Sequence, residues 1–264
     1  MSYGYHKTAI NGLGLVGSSQ LRGPSVLRSK KQVNYTISNI EKSLLSGQNE
    51  FDVEIISFRP LMNLNEIFNY FENESNISRT NNIIKINYEA PSCGREKIAY
   101  YGSNCFTGAD IVIKRFKEES GIDRYESAVL TTLVSQFLGN QFNNTETTSR
   151  KISFKNVHIV NYYDDLYFLE SKLDYFEKFN DNNGVRFSDD RCKTLEAFTH
   201  FTYNYSSQQL VVSDLQGDLD TYELTDSAIN SVYNLFGRTN LGTQGINNVI
   251  NRHQCNSFCS KLNL

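Results

Sequence analysis

The chain closes on a histidine and two thiols at metal-ligand spacing, His253-x-Cys255-x3-Cys259. Imidazole and thiolate groups so spaced supply three ligands of a tetrahedral zinc site. If the tail is helical, Cys255 and Cys259 project from one face a turn apart. The alternative is a frayed tail with two free cysteines, a redox liability. Upstream, Asp214 follows the apolar run Leu210-Val-Val-Ser213, and Gln216 lies two residues on. A carboxylate and an amide oxygen at the end of a buried strand can hold Mg2+, because hard cations prefer oxygen. Gly217 lets the chain turn sharply there. Gly237, Gly242 and Gly245 punctuate a loop that precedes an expected helix over Ile246–His253. Main-chain amides of such a loop, with a helix N-terminus, form an anion site. Lys114 stands near the end of the apolar run Ala109–Phe116. From there it could reach two phosphates, or it could be an edge lysine whose stem packs.

These groups need elements to hold them. Phe51–Phe58 and Asn82–Tyr88 read as strands, and Leu61–Phe71 as a helix from its apolar spacing. Lys97–Tyr101 and Ala109–Phe116 form an expected antiparallel pair around the Gly102–Gly108 turn. Arg124–Phe142 is the clearest helix, with Tyr125, Ala128, Val129, Leu133, Phe137 and Leu138 close to one stripe. Val157–Tyr163 and Leu166–Leu169 suggest a further hairpin, Leu195–Tyr205 a helix and Leu210–Ser213 a buried strand. Residues 1–50 differ: rich in Gly, Ser, Lys and Gln, they read as a flexible arm preceding an ordered domain over 51–264. Gly12-Leu-Gly14-Leu-Val-Gly17 matches a dinucleotide fingerprint only formally, because the strand and helix it requires are not suggested around it. A sheet-rich first half and a mixed second half imply an α+β protein of two lobes around a cleft.

Composition narrows the function. With 264 residues, 39% of them hydrophobic and including 17 Phe and 16 Tyr, the chain can fill a large core. A formal net charge of −3 argues against a nucleic-acid partner. No apolar run approaches the ~20 residues that span a bilayer. Met1–Ser19 lacks the charged-then-apolar pattern of a signal peptide, so an intracellular, cytoplasmic protein is expected. Five cysteines in no paired framework suit metal ligation in a reducing compartment.

The order Ser213-Asp-Leu-Gln-Gly217, Leu224-Thr-Asp226, Phe236-Gly237, Asn240-Leu-Gly242 and His253-Gln-Cys255, with His200, Phe201 and Tyr203 upstream, resembles the atypical alpha-kinase family. That family includes myosin heavy-chain kinases, the elongation-factor kinase and channel-kinases. The resemblance spans about residue 82 to the C-terminus. It implies a two-lobed protein-kinase-like fold, with an antiparallel-sheet N-lobe (about 51–169) and a mixed C-lobe (about 170–264) carrying a structural zinc. It implies a serine/threonine protein kinase that uses ATP and Mg2+ on a protein substrate. By resemblance, Arg95 joins Lys114 at the phosphates, Glu170 and the main chain of Leu173 bind adenine, and Asp214, Gln216 and Asp226 form the reacting centre. Lys178 and Asn180 match the positions that follow, and His200 becomes the fourth zinc ligand. Two positions keep another reading open: Glu170 could belong to an acidic surface hairpin, and Asp226 could cap a helix starting near Ser227. Thr239 replaces a family glycine, Ser227 a proline, and the acidic connection Asp218–Glu223 is longer than usual. These departures support an alternative, a catalytically inactive pseudokinase serving as a zinc-stapled interaction module.

Overall fold

In the computed structural model, residues 37–87, 89–187, 192–218 and 220–264 are described. The first element among the described residues is helix α1 (Asn39–Leu45), started by a reciprocal capping box: Ser38 Oγ accepts from Glu41 N, and the Glu41 carboxylate accepts from Ser38 N. Its Ile40 is wholly buried. The helix corrects the flexible arm expected over 1–50: capping and apolar anchoring make residues 38–45 part of the fold. Residues 1–36, with the rest of that arm, lie outside the described residues.

Strand β1 (Glu50–Phe58) alternates burial as a sheet strand should. The expected helix over Leu61–Phe71 is instead a series of 3-10 turns, Leu64–Phe68, Tyr70–Glu72 and Glu74–Asn76. Asn63 and Asn73 accept hydrogen bonds from main-chain amides two residues on, which competes with α-helical pairing. Then follow β2 (Ile77–Ile86), β3 (Ser92–Cys93), β4 (Lys97–Asn104), β5 (Asp110–Phe116), α2 (Ile122–Asn143), β6 (Ser153–Phe154), β7 (His158–Tyr162) and β8 (Asp165–Ser171). The seven-stranded sheet runs β2-β1-β7-β8-β5-β4-β3, with every pairing antiparallel. Because β2 also pairs with β4, the sheet curls on itself.

The second half holds β9 (Glu177–Lys178), α3 (Lys193–Tyr205), β10 (Leu210–Ser213), β11 (Gln216–Gly217), β12 (Glu223–Leu224), β13 (Ala228–Ser231), α4 (Gly242–Arg252) and α5 (Ser257–Lys261). β10 pairs with β13, and a small sheet runs β6-β12-β11-β9. β6 precedes β7 and β8 in the chain, so its parallel pairing with β12 ties the large-sheet portion to the segments that follow it.

One apolar cluster lies inside the curled sheet, around Phe51, Ile84, Ile113 and Val160. A larger one joins the outer sheet face to α2, α3 and β10 through Phe116, Phe168, Val134, Leu138, Phe198 and Val212. The α2 stripe expected from sequence packs there, widened by Leu130, Val134 and Phe142 because the helix is covered on more than one side. Among the described residues no helix is long and apolar enough to cross a membrane.

Candidate active site and metal cluster

A cavity opens between β4, β5 and β8 on one side and the segments after β10 and β12 on the other. Lys114 enters it from β5, where its neighbours are Ala99 on β4 and Phe168 on β8. Its ammonium is paired with Glu170 and lies 2.7 Å from Asp226 Oδ2. Burial opposes its charge, but Asp226 and Glu170 outweigh that and hold its pKa above the usual lysine range. Glu170 also accepts from Thr225 Oγ1 at 2.7 Å. It is 6% exposed, which rules out the surface-hairpin reading.

Asp226 sits at positive φ (49°), two residues before the strand Ala228–Ser231. That segment is a strand, so the helix-cap reading of Asp226 is overturned: four buried residues pair with β10 there. Burial pushes the Asp226 carboxyl up, but Lys97 and Lys114 prevail and hold it far below the usual carboxylate range. Lys97 Nζ lies 2.7 Å from Asp226 Oδ1 and 4.6 Å from the Phe168 ring centre. Sequence reading missed this second cation. The hairpin register could have found it, because Ala99 opposes Lys114 and Lys97 is one pleat repeat from Ala99 on the same face.

Asp214 lines the same cavity, also in the left-handed backbone region (φ 55°), which aspartate tolerates better than most residues. Lys178 Nζ stands 2.6 Å from Asp214 Oδ1. Burial raises the Asp214 pKa; Lys178 lowers it, Asp181 and Asp226 add to the rise, and the net shift is upward. Asn180 accepts from Leu215 N at 2.7 Å and so fixes the turn that presents Asp214. Gln216 donates its amide to the Asp226 carbonyl at 2.8 Å, linking the two acidic segments.

The remaining candidates are dispersed. Gly237 lines the cavity with Phe236, Arg238 and Thr239. Gly242 and Gly245 lie within α4, away from the cavity wall, and Gly245 instead allows Asn230 to pack against that helix. Arg95 is exposed on the turn between β3 and β4, and half-buried Leu173 follows β8; neither lines the cavity.

At the other end of the second half, His200 on α3, His253, Cys255 and Cys259 gather with all ligand atoms within 4.8 Å of one another. Cys255 Sγ is 3.6 Å from His200 Nδ1, and Cys259 Sγ is 3.5 Å from His253 Nε2. Tetrahedral zinc with sulfur and nitrogen ligands needs donor separations of about 3.3–3.8 Å. The donor set therefore fits a closed His2Cys2 site. Glu196 Oε2 lies 3.6 Å from His253 Nδ1, near that ring nitrogen but beyond hydrogen-bond distance. One expectation changes: α5 starts at Ser257, capped by Asn256, so Cys255 precedes the helix rather than sharing its face with Cys259.

Comparison with known proteins agrees with this geometry. The alpha-kinase family model matches residues 92–259. Alpha-protein kinase vwkA of Dictyostelium discoideum is 32% identical over 200 residues, 69% of this chain and 31% of its own length. A solved alpha kinase from Entamoeba histolytica superposes with a TM-score of 0.72 at 25% identity, covering 82% of this chain and 92% of that one. The alpha-kinase domain of myosin heavy chain kinase A in complex with ADP gives 0.68 at 26% identity, over 82% and 98%. The chain spans less than a third of the length of the curated relatives it matches. With more than half of its residues matched by the family model, and the same fold in solved members, the chain belongs to the alpha-kinase family.

Proposed function

We propose that this chain transfers the γ-phosphate of ATP to serine or threonine hydroxyls of a protein substrate. The observation that carries the reading is the convergence of Lys114, Glu170, Asp214 and Asp226 on one cavity beside the Gly237 loop. Lys114 and Lys97 bring two ammonium groups to where phosphate oxygens must be neutralised. Each is already held by carboxylates, so little reorganisation is needed when charge shifts in the transition state. Mg2+, when bound, would supply further neutralisation of phosphate charge. Asp214 and the Gln216 side-chain amide would hold it, both offering oxygen to a hard cation. The same Asp214 carboxylate would accept a hydrogen bond from the attacking hydroxyl and orient it. Glu170, which lines the cavity, is the acceptor for an exocyclic amine of the base.

The reading includes one zinc in the His200–His253–Cys255–Cys259 cluster. Four protein ligands leave no open position, so the metal's role is to tie α5 to α3 and not to act on substrate. Two thiolate ligands suit a reducing, cytoplasmic setting. The test is radiolabel transfer from Mg-ATP to the protein itself and to a generic protein substrate, comparing wild type with Asp214→Ala. Transfer that disappears in the variant is the expected outcome. Nucleotide binding without transfer in the wild type would instead assign the chain an interaction role.

A further inference from the structure

Helix α1 and the cleft lie on opposite faces of the same three strands. Successive strand residues face opposite ways, so each strand can serve both. On β4, Lys97 points to the cleft, and Tyr100 donates its hydroxyl to the Glu41 carboxylate on α1. On β5, Lys114 points to the cleft, and the next residue, Arg115, grips both Glu41 oxygens at 3.0 and 2.8 Å. On β8, Phe168 and Glu170 line the cleft; Tyr167 OH accepts from Ile40 N at 3.4 Å and Asp165 from Asn39 N. Arg115 and Glu41 are both nearly buried, their side chains 9% and 12% exposed.

We propose that α1 is a positioning brace for the cleft lysines, with Glu41 as its anchor. Apolar packing of Ile40 alone would let the helix slide. Glu41 is held at both oxygens by the Arg115 Nη2 group in a charge-assisted contact, and a phenol from the adjacent strand fixes the register between them. Through Arg115 and Tyr100 the brace sets the position of β5 and β4, and so of Lys114 and Lys97, against Glu170 and Asp226. Glu41 touches no substrate; it acts through Arg115 and is a positioning residue. The inference rests on the reading of the cavity as a nucleotide site.

The test uses the full chain, wild type and Glu41→Gln, with Lys42→Ala on the exposed side of α1 as control. Glu41→Gln keeps shape and an acceptor, and so is the variant that folds; Glu41→Ala is the stronger perturbation where it also folds. The affinity for a fluorescent ATP analogue is measured well below every melting temperature, together with the melting temperatures themselves. Glu41→Gln should weaken nucleotide binding roughly two- to thirtyfold, the span of coupling through packed chains, with Lys42→Ala unchanged. A lowered melting temperature with unchanged nucleotide affinity would mark α1 as structural only and overturn the proposal. If the wild type binds no nucleotide, the cavity reading fails separately. The brace is then judged by the acylation rate of Lys114 with an amine-reactive probe: faster in Glu41→Gln supports it, and equal rates overturn it.

Discussion

Replacing Lys114 by methionine isolates the charge at the centre of the cleft, because the thioether side chain preserves most of the buried stem. The Lys114 side chain is 12% exposed, its partner Glu170 8%, and Asp226 30%. Removing one member of a buried ion pair costs about 3–5 kcal/mol. Asp226 keeps Lys97 at 2.7 Å and some contact with water, so a loss of about 2–4 kcal/mol is expected at neutral pH. The pH dependence is the sharper test. The folded-state pKa of Asp226 lies below its unfolded value, so its stabilising contribution is present above the unfolded carboxylate range and is lost as pH falls through that range and below. Lys114, raised in the folded state, contributes fully at every pH below the usual lysine range. In Lys114→Met one of the two cations opposing burial is gone, and part of the Asp226 contribution is already missing at neutrality. On acidification both proteins lose what remains, so their stabilities should converge. Urea unfolding followed by circular dichroism at about pH 7 and about pH 2, below the unfolded carboxylate range, reads the gap directly. A gap that is negligible, or that stays constant between those two conditions, would refute the electrostatic account of the cleft.

Other outcomes follow from the same geometry. Chelation, or Cys259→Ser, should release one equivalent of zinc measured by elemental analysis and lower stability by several kcal/mol, since metal binding is coupled to folding. Because Asp214 is raised by burial in the metal-free protein, its carboxyl should titrate above the ordinary aspartate range when followed by NMR without Mg2+; titration at or below that range would refute the burial account. Gly245→Ala would place a methyl 2.3 Å from Asn230 Oδ1. Asn230 is fully buried and bonded to Asn182 O and Leu241 N, so it cannot swing away; a loss of about 1–3 kcal/mol in equilibrium unfolding is expected.

Elements with strong periodicity could be read from the chain alone: α2, the β4–β5 pair and the β7–β8 hairpin sit within a few residues of their expected bounds. Their patterns answer to one dominant force, burial of a regular apolar face. The 3-10 turns after β1 escaped because asparagine side chains compete with the helix by local hydrogen bonds that apolar spacing does not register. Helix α1 escaped because its seven residues bury a single apolar side chain, and its anchors are a capping box and an ion pair 74 residues away in sequence. Lys114, Asp214 and the terminal His/Cys set were visible as chemistry; Glu170, Asp226 and His200 needed the family resemblance. Lys97 was missed by both routes, because a lysine opening a strand reads as a solvated edge until its cross-strand register is known.

Asp214 and Asp226 both occupy backbone conformations that asparagine and glycine would adopt with equal ease. Chemistry and conformation are thus separable at the two positions where loss of a carboxylate matters most. A gene carrying asparagine at Asp214 would keep that backbone turn, whereas at Asp226 it would remove the carboxylate that Lys97 and Lys114 share. Active and silent versions of this domain can therefore differ by a single functional group, and descent between them needs no passage through an unfolded ancestor.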